Sequence, residues 1–388
     1  MGFSINETLL KKWIQNDIED TNTEILIKYW IQFKDYLGKG INACSRLVKV
    51  SVDYEYNNKL YKKSFIIKVP KECRNYSFLA NLGIYSKESL MYGKILPQIT
   101  KLLNFSVSPK HYDTIKSEIL VFEDLVKLDY TISHQSLMNF KQCAVVFETL
   151  GKFHAASYKL LEDNPELISE IPDQTEIMFT KIEHNIKVFY PAFEDILKKE
   201  GFSEDSINKF RKYENEILKK SIYYTGGRSL NFKVLNHGNI QSDNIFLKYD
   251  EDEIKESKFV DYQTCHWFSP LTELIYFATF SMEFDVFKNN LEELIGIYLR
   301  TLNDTLERLG CSIRYTKKEL DDDLESLKLY RIYAFIWTAF FNMRRITNNF
   351  KWAEFVLNSK DVEIIREHDL FKRIFSLFKY YERNGVFY

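Results

Sequence analysis

The chain has 388 residues, with 53 Lys plus Arg against 55 Asp plus Glu, a formal net charge of −2 at pH 7. Hydrophobic residues make up 45% and charged residues 28%, so a sizeable core can form and a disordered chain is excluded. The 13 Gly and 7 Pro exclude collagen-like and Pro-rich classes, and the balanced charge argues against general attraction to nucleic acid or anionic lipid.

The 5 cysteines (Cys44, Cys73, Cys143, Cys265, Cys311) show no CxxC spacing, so a reduced compartment without disulfide framework or zinc site is expected. Met1 to Asp20 lacks an apolar stretch, and no run reaches the roughly 18 residues of a membrane span. A cytoplasmic chain is the expectation. The aromatic content of 16% is mostly core filling.

In chain order, residues 5–35 predict a helix with Leu9, Leu10, Trp13, Ile14 and Ile18 on one face. Over residues 44–69, Leu47, Val48, Val50, Val52 and Tyr54 precede the turn pair Asn57-Asn58, and Phe65-Ile66-Ile67-Lys68-Val69 follows, which predicts a hairpin. Residues 80–103 predict a helix and Glu118–Glu123 a strand. From about residue 135 the chain reads as helical, except over 230–262, where Asn244–Lys248 and Lys258–Tyr262 flank the acidic turn Asp250–Glu253. A smaller α+β part thus precedes a larger, mainly helical part, with the boundary near Glu123–Asp129.

The densest chemical signal is His237-Gly238-Asn239-Ile240-Gln241-Ser242-Asp243-Asn244-Ile245-Phe246, followed by Phe259-Val260-Asp261-Tyr262-Gln263. Phosphoryl transfer needs a residue that holds the acceptor hydroxyl and oxygen ligands for Mg²⁺ at the nucleotide phosphates. Asn244 and Asp261 suit the ligand roles, being hard oxygen donors. A hairpin with polar ends is the bland alternative, weakened by the carboxylate that closes the second strand.

Upstream, Lys68 closes an apolar strand and would reach the phosphates, and Glu88 in the next helix would pair with it. Gly38, Gly40 and Ser45, in Gly38-Lys39-Gly40-Ile41-Asn42-Ala43-Cys44-Ser45, would let backbone N–H groups approach phosphates. Singly these are a solvated lysine, a surface acid and a turn; their order joins them.

With GKGINACS, FIIKVP, YSKESLMYGKILP, LVFEDL, LGKFHAASY, HGNIQSDNIF and FVDYQ…SPLTELIYF in sequence, the chain resembles the ecdysteroid kinase-like family over about Tyr36 to Phe280. That family belongs to the aminoglycoside phosphotransferase and choline kinase group. The resemblance implies a bilobal α+β, protein-kinase-like fold. Residues 1–125 would form a small lobe, with antiparallel sheet, helix and an N-terminal helical extension. Residues 126–388 would form the larger helical lobe. It implies ATP and Mg²⁺ in the cleft and γ-phosphate transfer to a hydroxyl of a small, sterol-like acceptor. Lys68 and Glu88 would anchor phosphates, Glu123–Leu125 would be the hinge beside adenine, and Asn244 and Asp261 would ligate metal. No nucleic-acid partner is implied, and protein partners are not specified.

Two positions depart from the family pattern. His-Gly-Asp is replaced by His237-Gly238-Asn239, and the lost Asp is the base for the acceptor proton. Such help is worth roughly 10²–10⁴-fold. A loose transition state leaves positioning and charge neutralisation to carry much of the rate. A slow kinase and a nucleotide- or ligand-binding pseudokinase both fit. Asp243 is the nearby carboxylate on this loop and the substitute candidate for a base. Glu273 stands where the family tends to have Asp, and is expected to brace the loop from a helix start capped by Ser269 and Pro270.

Other features read as structural. His154 is expected beneath the catalytic loop, and His237, though placed in the catalytic set, as a loop brace. His266-Trp267-Phe268 reads as a packed turn, and the aromatics of Tyr330–Trp352 as core. Asp321-Asp322-Asp323 reads as a solvated helix start and Arg344-Arg345 as a surface pair.

Overall fold

The computed structural model describes residues 6–18, 25–32, 45–70, 83–114, 118–132, 137–171, 175–214, 232–348 and 357–387. Gly38, Gly40, Cys44, Cys73 and Phe350 lie outside these residues.

The first part is a five-stranded antiparallel sheet in the order β1-β2-β3-β5-β4. Its strands are β1 (Leu26–Gln32), β2 (Ser45–Tyr56), β3 (Lys59–Pro70), β4 (His111–Tyr112) and β5 (Leu120–Glu123). The β2–β3 hairpin is the one predicted. Asn57 and Asn58 both take positive φ, 51° and 57°, which two-residue turns matched to strand twist require and Asn tolerates. The register then runs from Tyr56↔Lys59 to Ser45↔Pro70.

Period-two alternation sorts the two faces. Val48, Val50, Val52, Phe65 and Ile67 pack with Leu9, Leu10, Trp13 and Ile14 of helix α1 (Glu7–Ile18). Burying each large side chain there contributes about 1.5–3 kcal/mol. Leu47, Ile66 and Lys68 therefore face the other way.

Two boundaries differ from expectation. The helix expected over residues 5–35 ends at Ile18, and Leu26–Gln32 is strand β1. Its apolar residues occupy both parities, so periodicity does not choose between helix and strand. Pairing with β2, from Leu26↔Glu55 to Gln32↔Lys49, decides it.

Helix α2 (Ile84–Leu90) continues through a π turn, Met91–Ile95, into Leu96–Leu103. The larger part is helical, built around α3 (Phe140–Asp163), α4 (Thr175–Lys199), α5 (Pro270–Ser281), α6 (Phe284–Arg308), α7 (Lys328–Ile346) and α8 (Asp369–Arg383). Helices α3 and α6 approach closely at Gly151, where a Cβ would stand 3.0 Å from Tyr298 O.

Set into this part are two small sheets. β7 (Val234–Asn236) pairs with β10 (His266–Phe268), so His266-Trp267-Phe268 is a short strand and not a turn. β6 (Tyr130–Ile132), β8 (Ile245–Asp250) and β9 (Glu253–Phe259) form the other. The second strand of this hairpin begins at Glu253, before the expected Lys258, because its outer half alternates charged with half-buried residues and shows no apolar run.

Two charged runs were also misread. Asp321–Asp323 lies inside the helix Lys317–Ser326, and Asp323 is buried, accepting from Tyr315 Oη at 2.7 Å. Arg344 is buried with its guanidinium 5.4 Å from the Phe340 ring centroid, and Arg345 pairs with Asp243, so they are no surface pair. Cys143, Cys265 and Cys311 are free buried thiols. Among the described residues no helix is long and apolar enough to cross a membrane.

Candidate active site

Lys68 lies on the inward parity of β3, directly opposite Leu47 of β2. Its Nζ donates to Glu88 Oε1 of α2 at 2.7 Å and to Asp261 Oδ1 at 2.5 Å. Gln263 Nε2 donates to the other oxygen of Glu88 at 3.1 Å. Burial alone would push the ammonium down, but Asp261 and Glu88 overrule it and hold Lys68 above the ordinary lysine range. Burial pushes the Glu88 carboxyl up, to about 7; Lys68 opposes the rise and Asp261 adds to it. The two carboxylates thus raise Lys68, and burial raises Glu88.

The His237–Asn244 segment leaves β7 at Asn236 and turns at Gly238, whose φ is +79°. A Cβ there would stand 2.3 Å from Thr264 O, so only glycine fits. Glu273, in the first turn of α5, accepts from His237 N at 2.9 Å and Gly238 N at 2.8 Å. Ser269 caps this helix by accepting from Leu271 N at 3.3 Å, with Pro270 at its start. His154 Nε2 lies 2.9 Å from Glu273 Oε2, and its Nδ1 lies 2.9 Å from Tyr298 Oη. Burial opposes the Glu273 charge, but these donors hold its carboxyl below the usual range.

His237 is used on both sides. Asn239 N donates to its Nδ1 at 3.2 Å, and its Nε2 meets Val260 O at 2.9 Å. A carbonyl accepts only from a protonated nitrogen, so the ring is the Nε2–H tautomer. Burial keeps it neutral, pushing its pKa down against Glu273 and Asp261. Both nitrogens are engaged, so His237 braces the loop and has none left for a substrate proton.

Asn239 points its amide at the same carboxylate as Lys68: Nδ2 donates to Asp261 Oδ2 at 3.3 Å. Asn244 Nδ2 donates to Asn239 O at 2.8 Å, which leaves the Asn244 Oδ1 as an acceptor. Val260 N donates to Asn244 O at 3.0 Å, tying the two segments together. Asp261 has φ 73° and ψ 53°, the left-handed region that a side-chain-bearing residue rarely adopts. Asp243 is buried and pairs with Arg345 of α7.

Lys68, Glu88, Asp243, Asn244 and Asp261 border an open cleft of about 620 Å³, open solvent at its mouth included; Asn239 and His237 are outside its lining. Leu47, Ile66 and Phe122 contribute apolar surface from the five-stranded sheet, and Phe246 and Val260 from around the β8–β9 hairpin. Lys68, Glu88, Glu123, Leu125, Asp243, Asn244 and Asp261 also line it. Ser45 starts β2 buried, with its Oγ unpartnered, and is outside the lining. Gly38 and Gly40 lie outside the described residues.

The hinge expected at Glu123–Leu125 is braced by charges that sequence reasoning missed. Asp124 is buried and accepts from Lys49 Nζ at 2.6 Å and Ser64 Oγ at 2.7 Å. Glu123 accepts from Lys110 N and from Lys258 Nζ of β9, each at 3.0 Å. Lys49 and Ser64 share the inward parity of Leu47 and Lys68, and that parity was the available signal.

Asn244 and Asp261 fit a hard divalent cation by donor type. Among the described residues no cluster of three or more His, Cys, Asp or Glu could cage a metal. Two such oxygens would hold a hard cation whose other ligands come from phosphates and water.

The family model for the Ecdysteroid kinase-like family matches residues 39–311. No curated protein matches the chain. Among solved structures, the GDP complex of a mutant aminoglycoside 2′-phosphotransferase-IIIa is similar at 12% identity and TM-score 0.40, covering 98% of each chain. The GDP complex of the wild-type form is similar at 12% identity and TM-score 0.39, covering 96% of this chain and 100% of that one. With its motifs in order and the matched region holding β2 to β5, the cleft and the His237–Asn244 segment, the chain belongs to the ecdysteroid kinase-like family.

Proposed function

We propose that this chain is a small-molecule kinase. It binds ATP with Mg²⁺ between a lobe of residues 1–125 and a lobe of residues 126–388, and transfers the γ-phosphate to a hydroxyl of a small acceptor. The observation that carries this reading is Lys68 Nζ held between Glu88 Oε1 at 2.7 Å and Asp261 Oδ1 at 2.5 Å, on the wall of an apolar slot. The slot takes a flat heterocycle against Leu47, Ile66, Phe246 and Val260, beside Glu123–Leu125.

Lys68 holds the phosphates and Glu88 orients Lys68. Asn244 and Asp261 hold Mg²⁺, which when bound neutralises phosphate charge. Asn239 holds the acceptor hydroxyl by a hydrogen bond but does not take its proton, which makes turnover slow. Asp243 is engaged by Arg345 and is a poor replacement base. A sterol-like acceptor is what the family implies.

One observation favours a second reading, a pseudokinase that binds nucleotide or a lipophilic ligand without turnover. One N–H of the Asn239 amide is engaged by Asp261, and an amide takes no proton from an acceptor. Melting with and without ATP and Mg²⁺ tests what both readings share. A raised midpoint is expected, and no shift at millimolar nucleotide contradicts both. Acceptor phosphorylation by Asn239→Asp then separates them. Slow but measurable wild-type turnover supports the kinase, and activity present only in the variant supports the pseudokinase.

A further inference from the structure

Asn244 closes the single 3₁₀ turn Ser242–Asn244, and the residue before it is the buried Asp243. Both line the cleft. The bonds made by Asn244 itself are local. Its Nδ2 donates to Asn239 O and its N to Gln241 O, each at 2.8 Å, and its O accepts from Val260 N at 3.0 Å. Two contacts of the preceding residues tie this turn to helices of the larger part. Ser242 N donates to Ser281 Oγ, at the end of α5, at 3.0 Å. Asp243 Oδ2 accepts from Arg345 Nη2, in the last turn of α7. The second contact is an ion pair largely out of water, with 5% of the Asp243 side chain and 21% of the Arg345 side chain exposed. Burying a carboxylate is costly unless a cation meets it, so the pair favours one placement of Asp243.

We infer that Arg345 is a positioning residue for the metal side of the nucleotide site: through Asp243 it fixes the turn that aims Asn244 at the cleft. The inference rests on the proposed nucleotide cleft, and it gives Arg345 no contact with nucleotide or acceptor. Asn244 follows Asp243 directly, so a backbone shift at Asp243 carries the Asn244 Oδ1 with it. A hard cation held by two protein oxygens binds more weakly when one is misplaced. Removing a group that orients a ligand typically costs about 10–100-fold in metal affinity. The apolar wall of Leu47, Ile66 and Phe122 belongs to the five-stranded sheet, so the pair bears on the phosphate end of the cleft and not on that wall.

Calorimetric titration of the full chain with ATP in excess Mg²⁺ and, separately, with adenosine tests this, because adenosine has no phosphate for a metal to bridge. Arg345→Leu should weaken ATP binding at least about tenfold and leave adenosine binding within about threefold of wild type. Arg345→Lys keeps a cation opposite Asp243 and should recover most of the loss. Asp243→Ala should weaken ATP binding as Arg345→Leu does. The double variant should bind no more weakly than either single one, because the same contact is absent from all three. It also removes both charges together, so no buried charge is left to unfold the chain. Equal losses of ATP and adenosine binding in Arg345→Leu would make the pair merely structural and overturn the inference. A double variant that binds ATP as wild type does would also overturn it, since charge balance and not position would then be the cause. Unchanged ATP binding in Arg345→Leu overturns the inference and leaves the nucleotide cleft standing. Absence of ATP binding by the wild type overturns the inference and the parent reading together.

Discussion

Glu273 carries the geometry of the turn at His237 and Gly238. One buried carboxylate takes the His237 and Gly238 amides and faces the His154 ring. Glu273→Ala would leave two buried amides without acceptors, at about 1–3 kcal/mol each. Urea denaturation should show a loss of several kcal/mol and a loop that no longer supports nucleotide binding. Glu273→Asp keeps the charge and should cost much less. Gly238→Ala meets both a positive φ and a Cβ 2.3 Å from Thr264 O. Its melting midpoint should fall even though the added group is one methyl. Wild-type stability in Glu273→Ala or Gly238→Ala would show that the loop is held by something else.

At the scale of elements, the β2–β3 hairpin was legible because turn chemistry and alternation agree. Asn58 sits at φ 57°, so Asn58→Gly should be neutral or stabilising, and Asn58→Val should cost about 1–2 kcal/mol in denaturant titration. The same alternation aims Lys68 inward, which is why Lys68, Glu88 and Asp261 could be grouped from motif order alone. Strand β1 was not legible, since its apolar residues serve either period and only pairing with β2 selects one. Arg345 was not legible either. Its partner Asp243 is 102 residues away, and the arginine pair looks solvated in the sequence. The Asn239 amide was read as a missing base; its bond to Asp261 depends on the left-handed backbone of Asp261, which carries no sequence mark.

At the scale of the whole molecule, two buried groups give stability opposite pH slopes. Burial depresses His237 below its ordinary value of 6.5, so the folded state binds fewer protons there. Its contribution is present above that value and is lost as pH falls below it. Glu88 is raised from 4.5 to about 7, so its contribution is present below 4.5 and is lost as pH rises through about 7. Glu88→Gln should therefore gain stability relative to wild type between about pH 5 and about pH 8, and urea denaturation at those two values measures it. A constant difference across that window would show that Glu88 is not buried as described.

The proposed chemistry requires both parts of the molecule to close on one triphosphate. Equilibrium dialysis of labelled ATP with Mg²⁺ against wild type and Lys68→Met tests that directly. Saturable binding at one nucleotide per chain is predicted for wild type, weakened at least about tenfold in the variant by loss of a charge-assisted contact. No saturation at millimolar ATP, or equal binding by both proteins, would contradict it.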